Sequence, residues 1–171
     1  MKIYKERIDL ESKTQFEFMD ITDKVQEVIE RSGVREGQVT VYVPHTTMGV
    51  ALNHNEPMLL QDFMRTFYKL VPVDGQYSHD LFELRRESTS DGRSNGHSHC
   101  KSLLLGNSET IPIERGKMML SNIQNVFAVE FDGARKRDVR RCGWHQSSAW
   151  CVASPQCSGL GPGFALRFRV V

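Results

Sequence analysis

Histidines are concentrated in one part of the 171-residue chain, in a pattern typical of transition-metal sites. Five of the six histidines lie between residues 45 and 99: His45, His54, His79, His97 and His99. Imidazole is the commonest side-chain ligand of transition metals, and three imidazoles around Zn²⁺ leave a fourth position for water. An extended segment would place the rings of His97 and His99 on the same side. The cluster favours a metal site, although any one of these histidines is also typical of a solvated loop.

Carboxylates close to these histidines are candidates for acid–base chemistry. Asp80 directly follows His79, so its carboxylate can orient an imidazole or accept a proton. Asp62 is at the edge of the apolar stripe of a predicted helix, from which it either projects towards the histidines or remains an exposed surface residue. Asn55, just before that helix, is a candidate N-cap.

A short basic segment follows a predicted turn near the end of the regular part of the sequence. Arg135, Lys136 and Arg137 come directly after Asp132-Gly133-Ala134. Such a run is typical either of a solvated turn or of a patch that binds a phosphate group. The glycine-rich segment 92–96 is not a P-loop, because the Gly-Lys-Ser/Thr ending is absent.

The elements that must position these residues indicate an α+β fold with a mainly antiparallel sheet or barrel. Apolar residues at helical spacing predict two helices, from Asp20 or Thr22 to about Gly33 and from Pro57 to Leu70. The long polar stretch from Asp74 to Ser98 is predicted to be a loop, and loops of that length are usually functional or mobile. Alternating segments predict strands at residues 2–9, 15–19, 38–43, 49–52, 110–113, 117–120, 126–131 and 136–140.

The composition excludes several classes of protein. Twenty-two Lys and Arg against 21 Asp and Glu give a formal net charge of +1, so we expect neither nucleic-acid nor membrane partners. No apolar run approaches the roughly 20 residues that cross a bilayer, and the first residues do not resemble a signal peptide. The cysteine spacing fits neither a disulfide framework nor a common zinc motif. A cytoplasmic protein with reduced thiols is the expectation.

The last part of the chain differs in composition from the rest. After Asp138 there is no acidic residue, and both tryptophans and three of the four cysteines lie there. We expect residues 1–140 to form one domain and residues 141–171 to be a tail outside its core. The alternative is that Trp144, Trp150 and Phe164 pack onto the barrel and cover a sheet edge.

An ordered series of short motifs resembles the YjbQ-like family over residues 1 to about 140. The resemblance implies a small α+β barrel-like subunit that assembles as a homotrimer, in a family whose members are described as secondary thiamine-phosphate synthases. Gln124 is matched, but the three residues before it differ from the usual Gly-Thr-Trp, and His97 occupies a position that is not always histidine. The motifs are Pro44-His45-Thr46-Thr47, Asn53-x-Asn55-Glu56-Pro57, Asp74-Gly75-x-Tyr77-x-His79-Asp80, Ser98-His99-x-Lys101-Ser102 and Val129-Glu130-x-Asp132-Gly133-x-Arg135.

The resemblance also implies roles for individual residues in a metal-supported enzyme that acts on a small phosphorylated molecule. The metal, with Zn²⁺ as the first candidate, would be bound by His45, His79 and His99. Asp62 and Asp80 would act as acid–base groups or orient the ligands. The implied substrate-binding residues, with Lys101 and Arg135 holding the phosphate, are Thr46, Asn53, Asn55, Lys101, Gln124 and Arg135.

Two other functions remain open at this stage. Enzymes that act on diphosphates usually hold Mg²⁺ with carboxylates, whereas three histidines suit Zn²⁺, Ni²⁺ or Fe²⁺. That mismatch motivates a zinc-dependent hydrolase of a small substrate as one alternative. A trimeric metabolite-binding protein without catalytic activity is the other.

Overall fold

Seven strands and three α-helices make up the part of the chain that the structure describes. This computed structural model describes residues 3–81, 92–134 and the backbone of 167–170. No helix within these residues is long and apolar enough to cross a membrane. The elements are β1 (Glu17–Asp20), α1 (Thr22–Ser32), β2 (Gly37–Tyr42), β3 (Met48–His54), α2 (Pro57–Leu70), α3 (Gly96–Leu105), β4 (Ser108–Glu114), β5 (Lys117–Met118), β6 (Gln124–Glu130) and β7 (Arg167–Val170).

The strands form two antiparallel sheets, which confirms the predicted α+β class. One sheet has the order β1-β6-β3 and the other has the order β5-β4-β2-β7. In the first sheet β6 is the central strand, and it pairs with β3 over seven residues, from Met48 opposite Glu130 to His54 opposite Gln124. The two ends of β6 are therefore fixed relative to the two ends of β3.

Strand β6 is buried on both of its faces. Val126 and Ala128 belong to the same core cluster as the buried residues of α1. Phe127 and Val129, which point to the opposite face, belong to a second cluster against which α2 packs. Because side chains alternate along a strand, one segment joins the two cores of the protein.

Helix α1 forms where the sequence predicts it. Its buried residues Val25, Val28 and Ile29 lie on one face, as their spacing requires. Gly33 ends the helix in the left-handed conformation with φ 67°, which is accessible to glycine at little cost.

The N-terminus of α2 is capped by Glu56, so the prediction of Asn55 as the cap is wrong. The Glu56 carboxylate accepts hydrogen bonds from the backbone N–H groups of Met58 and Leu59, at 2.8 and 2.7 Å. These two bonds lower the pKa of Glu56. Asn55 instead donates from Nδ2 to Asp20 Oδ2 at 2.8 Å and so links the ends of β3 and β1.

Helix α3 lies partly in the stretch that the sequence predicts to be a loop. A 3-10 turn at Ser78–Asp80 and the first turns of α3 fall between residues 74 and 98. The apolar pattern does not predict this helix because its buried positions hold glycine and polar residues: Gly96, His97, Ser98, Lys101 and Ser102. Leu103 and Leu104 are exposed, so no apolar stripe indicates this helix.

Strand boundaries differ from the predictions mainly near the two ends of the regular sequence. Within the predicted strand at 2–9, the structure has only an isolated bridge at Tyr4 and otherwise irregular backbone, and residue 2 is not described. The strand predicted at 117–120 is shorter and covers Lys117–Met118. The strand predicted at 136–140 lies outside the described residues.

Strand β7 comes from the segment that the sequence assigns to the tail. Its four residues pair antiparallel with β2, from Val39 opposite Val170 to Tyr42 opposite Arg167. Residues 141–166 lie outside the described part of the chain, and whether the tail is dispensable stays a prediction.

Truncation after Arg140 tests the role of the tail. Because β7 is at the edge of its sheet and pairs with β2 alone, we expect the β2–β4 pairing and both cores to survive its removal. The expected loss is below about 1 kcal/mol, or roughly 2–4 °C in Tm for a chain of this length. Thermal unfolding of the full and shortened chains measures it, and a larger loss would make the tail part of the stable fold.

Candidate functional site

The first turn of α3 is anchored to a neighbouring turn and to the end of β6. Asp80 Oδ1 accepts hydrogen bonds from the backbone N–H groups of Asn95 and Gly96, at 3.0 and 2.9 Å. Asn95 Nδ2 donates to Asp132 Oδ2 at 3.0 Å, and Ser98 Oγ donates to the Phe131 carbonyl at 2.6 Å. Asp80 therefore fixes the turn from which the histidines of α3 project, and its catalytic role stays a prediction.

Gly96 allows α3 to approach the residue before the 3-10 turn. A Cβ atom at Gly96 would lie 2.5 Å from Tyr77 Cβ, which is closer than real side chains come. Tyr77 is itself held by a hydrogen bond from its hydroxyl to the Pro72 carbonyl, at 2.6 Å. Its ring meets the His97 ring edge-on, with the centroids 6.4 Å apart.

A buried histidine–lysine pair lies one turn into α3. His97 and Lys101 are four residues apart, and each is only 1% exposed. Lys101 Nζ is 3.3 Å from His97 Nδ1. The same ammonium lies 4.7 Å from the ring centroid of Tyr68 and 5.8 Å from that of Phe16, within the range of cation–π attraction.

Burial dominates the electrostatics of this pair. It lowers the pKa of Lys101 and is the largest cause of the lowered pKa of His97, because a low-dielectric environment disfavours the charged form. The positive charge of Lys101 lowers the pKa of His97 further. Asp132 and Asp80 oppose the shift, which places both carboxylates within electrostatic range of the imidazole.

The second ring nitrogen of His97 has no hydrogen-bond partner in the described part of the chain. Nε2 is buried, and no described residue donates to it or accepts from it. A buried polar atom without a partner costs roughly 1–3 kcal/mol. Sites that tolerate such a cost are candidates for binding or catalysis.

Two of the three predicted metal ligands lie side by side. The His79 and His99 rings meet edge to face, with centroids 4.6 Å apart. His45 is buried, 9% exposed, in the connection between β2 and β3. No group of three or more His, Cys, Asp or Glu residues within the described ranges is placed to hold a metal ion. The three-histidine metal set stays a prediction.

His97 and His99 do not share a side, contrary to the prediction from an extended segment. Both residues are in the first turn of α3, where positions two apart point in nearly opposite directions. His97 therefore faces inward to Lys101, while His99 meets His79. The prediction failed because it assumed an extended segment where the chain forms a helix.

Asp62, the other predicted catalytic carboxylate, is on the exposed side of α2. Its Oδ1 pairs with Arg65 Nη1 at 3.1 Å, and both side chains are more than half exposed. Such a pair at a spacing of three residues is typical of a solvated helix surface. A catalytic role for Asp62 stays a prediction.

The predicted substrate-binding residues are divided between the two ends of β6. Asn53 and Gln124 lie at its beginning, beside the end of β3. Lys101 lies near its other end, where Ser102 Oγ donates to the Met48 carbonyl at 2.6 Å. Gln124 and Glu130 are six residue steps apart along β6, so their Cα atoms are about 20 Å apart.

The described side-chain contacts of Asn53 and Gln124 are local. Asn53 Oδ1 accepts from the backbone of His54 at 2.9 Å, and Gln124 Oε1 accepts from Ser121 N at 3.4 Å. Thr46 is exposed in the β2–β3 connection. Arg135 lies outside the described residues, so its predicted phosphate contact has no structural counterpart here.

One feature of the sequence, the spacing of two residues, indicates the buried pair. His97 and Lys101 have the four-residue spacing that brings side chains together on a helix. The signal requires a helix at this place, and the apolar pattern does not predict one. Tyr68 and Phe16, which complete the surroundings of Lys101, are too distant in sequence to be associated with it by spacing.

Comparison with known proteins places the chain beside a group of relatives of similar length. A family model described as UPF0047 protein YjbQ-like matches residues 6–142. A UPF0047 protein of Methanothermobacter thermautotrophicus is 35% identical over 140 residues, which are 82% of this chain and 91% of the relative. One from Archaeoglobus fulgidus is 39% identical over 132 residues, covering 77% and 94%.

Solved structures of similar proteins have a fold like that of this chain. The crystal structure of an uncharacterised yjbq/upf0047 family protein from Clostridium acetobutylicum is 33% identical, with a TM-score of 0.65, and the match covers 79% of this chain and 93% of that one. A YbjQ-like protein of unknown function from Sulfolobus solfataricus has a TM-score of 0.74 at 24% identity, covering 99% and 96%. At that identity the likeness shows the fold alone.

The contact between Gly96 and Tyr77 gives a direct test of the site's geometry. Gly96→Ala adds a methyl group that must displace Tyr77, so we expect a loss of about 1–3 kcal/mol in the free energy of unfolding. Cys100→Ala, at an exposed position of the same helix, is the matched control and should change stability by less than about 0.5 kcal/mol. Denaturant unfolding measures both, and equal stability of the two variants would contradict the packing described.

Proposed function

Since the chain belongs to the UPF0047 YjbQ-like family, we propose that it is an enzyme acting on a small phosphorylated molecule. The observation that supports this most directly is the buried pair His97 and Lys101, with a ring nitrogen that has no hydrogen-bond partner among the described residues. The candidate reaction is thiamine-phosphate synthesis, as the sequence resemblance implies.

The energetic cost of the buried pair favours a functional role over a purely structural one. Removing an ammonium from water costs several kcal/mol, even when aromatic rings and one hydrogen bond offset part of it. A helix whose only task was packing would bury apolar side chains at the positions of His97, Ser98 and Lys101. Polar groups held at such cost are concentrated at binding and catalytic sites.

The candidate reaction requires stabilisation of a departing diphosphate. A C–N bond forms between the thiazole phosphate nitrogen and the pyrimidine methylene carbon, while the C–O bond to diphosphate breaks and its electron pair leaves with pyrophosphate. Fixed positive charge and hydrogen-bond donors lower the barrier of such a step. The buried pair of Lys101 and His97 is the proposed source of this charge and of a donor, and Arg135 is a further proposed cation.

The proposal does not depend on a three-histidine zinc site, since no group of three or more His, Cys, Asp or Glu within the described residues is placed to hold a metal ion. The adjacent rings of His79 and His99 would supply two ligands, and catalytic Zn²⁺ usually has three from the protein. A divalent metal, with His45 as the third ligand, remains a proposal, and no step of the candidate reaction depends on it here.

A zinc-dependent hydrolase is the second candidate function, and the contact between His79 and His99 is the observation that favours it. Bound Zn²⁺ would supply Lewis acidity and an activated water. Its substrate would be a small phosphorylated or amide compound. Metal content together with hydrolytic activity separates this candidate from the first.

Assembly as a homotrimer is part of the proposal, because family resemblance implies it. The division of the predicted substrate-binding residues between two ends of β6 supports it, since separate copies can bring opposite ends together. We expect light scattering to give about three times 19.6 kDa. A clean monomer at micromolar concentration would remove the trimer.

A synthase assay combined with metal analysis of the purified full chain tests the proposed function. We expect formation of thiamine phosphate and pyrophosphate, and a fall of about 100-fold in kcat for Lys101→Met, the magnitude typical of losing one transition-state group. Lys69→Met removes an exposed lysine from α2 and serves as the control.

Each result favours a different function. Stoichiometric zinc with hydrolysis and without synthase activity would favour the hydrolase. Binding of phosphorylated compounds without any turnover or metal would indicate the metabolite-binding protein. Full synthase activity in Lys101→Met would contradict the role given to Lys101.

A further inference from the structure

The hydroxyl proton of Ser98 limits the hydrogen bonds that His97 can form. Ser98 Oγ donates to the Phe131 carbonyl at 2.6 Å, and a serine has one hydroxyl proton. The same oxygen is 3.1 Å from His97 Nδ1. Towards His97, Ser98 can therefore only accept.

Lys101 imposes the opposite requirement on the same ring nitrogen. An ammonium group has donors and no acceptor, and Nζ lies 3.3 Å from Nδ1. If Nδ1 carried the proton and donated to Ser98, the buried ammonium of Lys101 would have no acceptor at this nitrogen. If Nδ1 accepts from Lys101, the buried ammonium is hydrogen-bonded. The second arrangement gives the buried ammonium an acceptor, and leaving a buried charge unpaired costs more free energy than leaving a neutral ring N–H unpaired. The ring proton is therefore assigned to Nε2.

This tautomer makes the partnerless atom of His97 a hydrogen-bond donor. Nε2–H is buried without an acceptor among the described residues, and a lysine cation acts on the other side of the ring. A donor in this position is best matched by an oxygen that carries negative charge. A nitrogen that carries a proton cannot at the same time be a metal ligand.

We propose that His97 binds a phosphate or diphosphate oxygen of the substrate through Nε2–H, and that Lys101 is a positioning residue that fixes the required tautomer. The inference rests on the proposed function, which supplies a phosphorylated substrate. It differs from the sequence prediction in one respect, since Lys101 acts through His97 rather than on the phosphate itself.

Nitrogen NMR of the full chain with ¹⁵N-labelled histidine tests the tautomer. We expect a protonated Nε2 and an unprotonated Nδ1 for His97 in the unmodified protein. Lys101→Met removes the donor to Nδ1, so the proton should move to Nδ1 and be donated to Ser98. Lys69→Met should leave the His97 signals unchanged. An unprotonated Nε2 in the unmodified protein, or no change in Lys101→Met, would overturn the tautomer assignment.

Titration with inorganic phosphate and with pyrophosphate tests the ligand. We expect the His97 Nε2 signal to shift with either anion, and calorimetry to give matching dissociation constants. His97→Gln keeps a side-chain N–H donor and should retain binding within about tenfold. His97→Phe lacks a donor and should lose more than that, while its circular dichroism reports whether it folds.

The results of the two proposals can be told apart. Anion binding without a shift at Nε2 overturns the role of His97 and leaves the phosphorylated substrate intact. The absence of any binding of phosphate and pyrophosphate also overturns the inference, because the Nε2–H donor would then have no anionic partner. A shift at Nε2 in a protein without synthase turnover supports the inference and contradicts the candidate reaction alone.

Discussion

The burial of β6 on both faces is the constraint on which the other elements depend. Its alternating residues complete the core beneath α1 on one side and the aromatic cluster beneath α2 on the other. A shift of one residue in its register would exchange these two sets and leave both cores mismatched. The end of this strand also supplies the carbonyl and the carboxylate that anchor α3, at Phe131 and Asp132. Packing thus determines where the candidate site lies.

Helix α3 combines little apolar packing with many polar contacts. Its buried side chains bind the backbone of β3 and the end of β6, while its leucines at 103 and 104 face solvent. Such a helix is held by hydrogen bonds whose partners must all be in place, and burial makes each of them consequential. This is a reason to regard its inward-facing side chains as functional rather than as an incidental part of the core.

The structure separates groups that sequence motifs join. The resemblance assigns Asn53, Gln124 and Lys101 to one substrate, yet the first two lie at the opposite end of β6 from the third. An extended segment would also place the rings of His97 and His99 on one side, and the helix sends them to different neighbours. Neighbours in a sequence motif are therefore not neighbours in space in this fold, and the surroundings of α3 combine residues from several distant segments.

The sequence by itself determined the α+β class, most strands, helices α1 and α2 and the family, because each depends on periodicity or ordered motifs that are local along the chain. It also identified His79 and His99 as candidates, which the structure places in contact. Only the tertiary structure decided that α3 is a helix and that Glu56 rather than Asn55 caps α2. It alone paired His97 with Lys101 and brought Tyr68 and Phe16 to the same ammonium. The physical reason is that a polar buried face carries no hydrophobic period, and the free energy of burying an amine depends on neighbours that are far away in sequence.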